Sequence, residues 1–87
     1  MQLLGTEPQQ LGEETTPCRQ ITVRAHYGNA DASIGHVDVT TAKRWAFVLE
    51  GETYTIGPFP PGNGIRPCDI YILGSLGDEF TWGGFHS

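Results

Sequence analysis

Cys18-Arg19-Gln20-Ile21-Thr22-Val23-Arg24-Ala25 alternates apolar with polar side chains. Ile21, Val23 and Ala25 fall on one side, and Gln20, Thr22 and Arg24 on the other. A period of two belongs to a strand with one face buried and one in water. Tyr27-Gly28-Asn29-Ala30-Asp31 follows as a turn, since Gly, Asn and Asp tolerate the left-handed backbone of reversals. Ile34, Val37 and Val39 predict a second strand with an irregularity at Gly35. The next stretch fits a helical stripe (Ala42, Trp45, Ala46, Leu49) or a strand face (Trp45, Phe47, Leu49). Aromatic and β-branched content favours a strand from about Trp45, and Glu50-Gly51-Glu52 before Tyr54-Thr55-Ile56 reads as a hairpin. The Pro- and Gly-rich run from Gly57 to Gly64 is a long loop.

Asp69-Ile70-Tyr71-Ile72-Leu73-Gly74 is apolar on both faces and predicts a central or interface strand. Leu76-Gly77-Asp78-Glu79 then turns the chain into a short final strand at Phe80-Thr81-Trp82. About six short strands separated by turns, with no crossover helix, define an all-β chain: a small antiparallel β-sandwich or a jelly-roll-like barrel. Residues 1–16 carry Gln, Glu, Thr, Gly and Pro with only Leu3, Leu4 and Leu11 to bury, so they read as an extended N-terminal arm ahead of a sandwich domain at 17–87. Such an arm either frays or becomes ordered across a neighbouring subunit.

Composition agrees. Gly (12) and Pro (6) occupy 18 of 87 positions, above the roughly 12 per cent of ordinary usage, which disfavours long helices. A chain this short buries only about 60 to 65 per cent of its unfolded surface, so its core is thin without a staple or a partner. No apolar run approaches the roughly 18 residues of a membrane span. The start Met1-Gln2-Leu3-Leu4-Gly5 lacks the regions of a leader, so the expectation is a soluble protein made in the cytosol. Net charge is −5 and the bases are scattered apart from Lys43-Arg44, which argues against nucleic-acid binding.

Cys18 and Cys68 lack metal or redox spacing. Each follows a proline and opens a strand-like run, so they are either two small buried hydrophobes or, if those runs pair, one disulfide. His36 and Asp38 share a strand face by parity, a weak catalytic or metal signal, and no nucleophile elbow, zinc-protease or phosphate-loop motif occurs. No catalytic, cofactor or metal residue is assigned. Trp45, Trp82, Tyr27, Tyr54, Tyr71, Phe59 and Phe85 could stack on a sugar ring, but such residues more often supply the core and contacts of a small β domain. Phe59 and Phe85 stand outside the alternating strands, as core plugs or subunit contacts.

Four runs carry a resemblance: Pro17 to Ala25, Gly28 to Asp31, Leu49 to Thr53, and Asp69 to Trp82. Pro17 to Ile21 fits the pattern PC-x-x-[VI], Ala25 to Asn29 fits A-x-x-x-N and Asp69 to Trp82 fits D-I-Y-[VI]-x-G-x-x-G-D-x-[VF]-x-W, while Leu49-Glu50-Gly51-Glu52 is one residue short of L-x-x-G-E. With them the chain, over about residues 17–82, resembles small all-β virion proteins of tailed bacteriophages. The loop from Gly57 to Gly64 and the acidic arm depart from that pattern and suit contact elements. The resemblance implies a capsid decoration (cement) protein without catalytic residues or cofactor. It would be made in the host cytoplasm and located on the virion's capsid surface. Its partners would be the major capsid protein and itself, as a trimer, with no nucleic acid or membrane. The expected contact residues are Leu3, Leu4, Leu11, Phe59, Tyr71, Leu73 and Phe85. A tail or baseplate component and a carbohydrate-binding module are the alternatives.

Overall fold

A computed structural model describes residues 2–40, 42–60 and 63–86, with the side chains of residues 85 and 86 outside that description. Its strands are β1 (Gln9–Gln10), β2 (Cys18–Ala25), β3 (Ala32–Gly35), β4 (Ala46–Val48), β5 (Thr53–Ile56), β6 (Tyr71–Leu73) and β7 (Phe80–His86), with a 3-10 turn at Pro67–Asp69. They form two antiparallel sheets, ordered β1-β6-β3-β4 and β5-β2-β7. The small all-β sandwich expected from the sequence is the fold observed.

Alternation in β2 decides which way the second sheet faces. Ile21, Val23 and Ala25 are wholly buried and join Ala32, Ile34, Val48, Ile72 and Phe80 in one core. Complete burial of an aliphatic or aromatic side chain stabilises a fold by about 1.5–3 kcal/mol, so this small set supplies most of the driving force. β6 lies between β1 and β3, the central place its two apolar faces predict.

The N-terminal segment corrects the expectation of a separate arm. Leu3 and Leu11 are only 1% and 2% exposed, inside the core. The Leu3 N–H donates to the Asp78 carbonyl at 2.8 Å, the Gly77 N–H donates to the Leu3 carbonyl at 3.0 Å, and the Leu11 N–H donates to the Ile70 carbonyl at 2.7 Å. Gln9 and Gln10 pair with Ile72 and Tyr71. A thin core recruits every large apolar side chain within reach, and two leucines suffice to bind a polar segment down.

Three local readings also change. The 49–52 turn is no hairpin, because β4 pairs with β3 while β5 pairs with β2 in the other sheet. It crosses between sheets, with Gly51 at φ +73°. The second strand stops at Gly35, and Val39 folds back so that a Cβ on Gly35 would lie 3.0 Å from its Cγ2. The final strand is longer than expected and runs to His86. Cys18 opens β2 but Cys68 sits in the 3-10 turn, and both thiols are free. Since β2 and β6 belong to different sheets, the pairing that a disulfide required does not arise.

Candidate binding surface

Register places Ser33 between Phe47 on β4 and Leu73 on β6, and Gly35 beside Tyr71. Ala32 and Ile34 point into the core, so Ser33, Gly35, Phe47, Tyr71 and Leu73 face outward. Small residues on the middle strand leave a trough between two apolar ridges. Val39 and Arg44, from the connection between β3 and β4, fold into it. Val39 is buried against Gly35, and Arg44 crosses the face with Nη1 3.4 Å from the Ser33 Oγ and its guanidinium carbon 4.2 Å from the Phe47 ring centre. A cation over an exposed ring contributes about 0.5–1 kcal/mol.

The loop is closed on itself. Thr40 Oγ1 accepts the Lys43 N–H at 2.9 Å, and the Lys43 ammonium donates to the Asp38 carboxylate. That hydrogen bond, more than the lysine's charge, holds the Asp38 carboxyl below its ordinary range. Trp45 donates its N–H to the Ile34 carbonyl at 2.7 Å, and its ring meets His36 edge-on at 4.7 Å. Beyond the loop, Trp45, Phe47 and Leu49 stay exposed along the edge strand, with Phe47 at 45%. Val37 is exposed as well, and it lines a shallow depression with Tyr71.

Of the seven residues expected to make contacts, the structure brings Tyr71 and Leu73 together on this face, both half-buried. Leu3 and Leu11 are corrected: a core side chain cannot latch onto a neighbour. Leu4 is exposed, at the end of the sandwich where Leu3 meets Asp78. Phe59 is a plug, packed on the core and held by its N–H to the Arg19 carbonyl (2.9 Å) and by Arg19 Nε, which donates to the Phe59 carbonyl (2.8 Å). The backbone of Phe85, in β7, pairs with Gln20 of β2, and its side chain lies outside the described residues.

Phe47 and Leu49 were missing from the expected contacts. Their signal was the alternation Trp45, Phe47, Leu49, opposite in parity to Ala46 and Val48, which already supply the inward face. The aromatic platform does not assemble, because Trp82, Tyr54 and Phe59 pack on the core. Gly12 lies so close to Trp82 that a Cβ would come 2.8 Å from its Cζ2. His36 and Asp38 sit in the loop rather than on a strand and face Trp45 and Lys43 respectively.

On the other sheet, the outward positions include Gln20, Thr22 and Arg24 on β2, Thr53 and Thr55 on β5, and Thr81 and Gly83 on β7. Among the described residues no group of three or more His, Cys, Asp or Glu could hold a metal, and no helix is long and apolar enough to cross a membrane. No protein-family model, curated protein or solved structure matches this chain.

Proposed function

We propose that this chain is a decoration protein of a tailed-phage virion that binds the shell of major capsid protein through the outer face of β1-β6-β3-β4. One observation carries the reading. Phe47, Leu73 and Tyr71, with Trp45 and Leu49 beside them, make an apolar face that the folded chain leaves accessible. Exposed apolar area backed by a rigid sheet is the physical form of a protein-binding surface. The sequence patterns shared with small virion proteins supply the kind of partner.

The work is mechanical: contacts repeated over many shell subunits act at high effective concentration, so a modest interface per copy resists rupture of the whole. Self-association as a trimer belongs to the same proposal and would be read from the mass in solution. A sugar-binding reading is weaker here, because Trp82, Tyr54 and Phe59 pack on the core instead of joining Trp45 in a stacking platform.

Co-sedimentation with emptied capsids tests the proposal. Wild-type protein should pellet with shells, and Phe47→Ser should weaken that binding at least about tenfold, the scale of a hot-spot aromatic. Failure of the wild type to bind shells overturns the reading, and retention on tails instead would assign the same face to a tail component.

A further inference from the structure

Loops 26–31, 49–52 and 74–79 gather at the end of the sandwich away from the 36–44 loop. The Gly51 N–H donates to the Ala25 carbonyl at 3.0 Å, the His26 N–H to the Glu79 carbonyl at 3.1 Å, and the Gly28 N–H to Glu50 Oε2 at 2.7 Å. These loops hold Asp31, Glu50, Glu52, Asp78 and Glu79, five of the chain's ten acids, and none of its five Lys and Arg. Asp78 is spent internally, accepting the Ala30 N–H at 3.3 Å and the Ser75 N–H at 3.2 Å. The other four carboxylates are exposed, and among the described residues none pairs with Lys or Arg. Glu79 has His26 opposite, at 3.8 Å. Arg24, the base nearest in sequence, stands between Thr53 and Thr81 on the outer face of the other sheet and lines a neighbouring depression with His26, Tyr27 and Thr81, making no ion pair with the four carboxylates among the described residues.

Among the described residues, the three most exposed large apolar side chains lie at this same end: Tyr27 at 80%, Leu4 at 78% and Leu76 at 67%. Tyr27 is seated, not loose. Its ring rests on Gly51 so closely that a Cβ there would lie 2.7 Å from Cε1. Asn29 fixes the other wall, donating from Nδ2 to the Glu79 carbonyl at 2.7 Å and accepting the Glu79 N–H at 3.0 Å. Between them is a depression of about 330 Å³ lined by His26, Tyr27, Asn29, Leu76, Asp78 and Glu79.

We infer that this end is a second docking surface and that its occupant is a basic segment of a protein, with Lys or Arg alternating with apolar side chains. The apolar residues supply adhesion and the unneutralised carboxylates choose the sign. A second copy of the same end would be repelled, as would nucleic acid or an anionic lipid surface, because like charges brought together cost affinity. A seated tyrosine loses little conformational freedom on binding, as in an antibody paratope. The surface is separate from the Phe47 face and goes beyond the capsid reading: with both occupied, one chain would bridge two partners.

NMR titration of the full chain with a blocked alternating Lys-Leu hexapeptide tests this, with a Glu-Leu hexapeptide as control. Amide shifts should centre on residues 27–29, 50–52 and 76–79. Affinity should fall several-fold between about 50 and about 300 mM salt, over which the Debye length shortens from roughly 14 to 6 Å. Tyr27→Ser/Leu76→Ser should weaken binding at least about fivefold. Both side chains are exposed, so the fold should survive, and Glu79→Gln is the charge arm, with about a twofold loss. Equal binding of the Glu-Leu peptide, shifts centred on Trp45 and Phe47, or indifference to Tyr27→Ser/Leu76→Ser overturns the inference. Shell binding lost in Phe47→Ser with peptide binding intact separates this surface from the first.

Discussion

Outside β2, Thr22 and Arg24 stand beside Thr53, Thr55 and Thr81; outside β3, Ser33 and Gly35 stand between Phe47, Leu73 and Tyr71. Both sheets press their inner faces onto the same core. Folding asks nothing of an outer face except that it tolerate water, and the β5-β2-β7 sheet meets that demand with threonines, which favour strands and need no cover. The other sheet keeps apolar ridges outside and covers only the trough between them, with Val39 and Arg44 from the connection between β3 and β4. What the loop leaves bare is therefore not accounted for by folding, and this is why function is sought on that side.

The core common to both sheets should show the largest effects. Phe80→Ala removes a wholly buried ring and should cost about 3–5 kcal/mol, enough to unfold much of a domain whose total stability is expected near 4–13 kcal/mol. Leu3→Ala should cost about 2–5 kcal/mol and Leu4→Ala almost nothing, since one side chain is in the core and its neighbour in water. Urea midpoints measure both. Similar midpoints for the two leucine variants would return residues 1–16 to a loose arm.

The two outer faces can be set against each other directly through glycine. A Cβ on Gly35 would meet Val39 at 3.0 and 3.2 Å, whereas one on Gly83 meets nothing within 4 Å. Neither glycine has a positive φ. Gly35→Ala should therefore lift the loop and destabilise by about 1–3 kcal/mol, as overpacking does. Gly83→Ala should be neutral or stabilise by about 0.4–1 kcal/mol through the unfolded chain. Opposite signs in thermal melts are the expected result; equal signs would mean that the loop does not seal the trough in solution.

Phe47→Thr gives the apolar face the chemistry of the other. With 45% of Phe47 exposed and its partner Arg44 at the surface, stability should change by no more than about 1 kcal/mol, while adhesion is lost. A large loss of stability would make this ring structural and remove the reason to call the face a binding surface.

Thiol chemistry separates buried from half-buried positions on a smaller scale. Burial, with Glu14 adding to it, pushes the Cys18 thiol up, while Cys68 is partly accessible. Iodoacetamide should label Cys68 first and Cys18 only through opening of the fold, which mass spectrometry follows. Because the folded state holds the Cys18 proton more tightly, its contribution to stability is present below the ordinary thiol pKa and declines as pH rises past it.

The sequence reveals strands more readily than their partners. Ile21, Val23 and Ala25 announce β2 and its inner face, and the two apolar faces of 70–73 announce a strand with neighbours on both sides, because side-chain parity is a local property. That β4 and β5 belong to different sheets is not local: Glu50-Gly51-Glu52 suits a hairpin and a crossing equally well. Leu3 and Leu11 illustrate a second limit, since a polar segment with two leucines is bound down only because the core beneath it has room. The apolar face was half legible, Tyr71 and Leu73 from their strand, but Phe47 only once Ala46 and Val48 are known to face inward.

The smallest effect concerns the loop that covers the apolar trough. Lys43 donates to Asp38 across the loop, and this hydrogen bond, helped by the lysine's charge and by His36, keeps the Asp38 carboxyl low. A carboxyl lowered on folding lends its stability above the ordinary aspartate pKa of about 3.9 and loses it as pH falls through the lowered folded value. Both partners are exposed at the surface, so water screens the pair and the global melt of Lys43→Met at neutral pH should coincide with wild type. The local readout is different: the Asp38 carboxyl, followed by NMR, should titrate at a higher pH in Lys43→Met, close to that of an unperturbed aspartate. An unchanged titration would show that Asp38 and Lys43 are not joined in solution, leaving Val39 and Arg44 to hold the loop over the sheet without that tie.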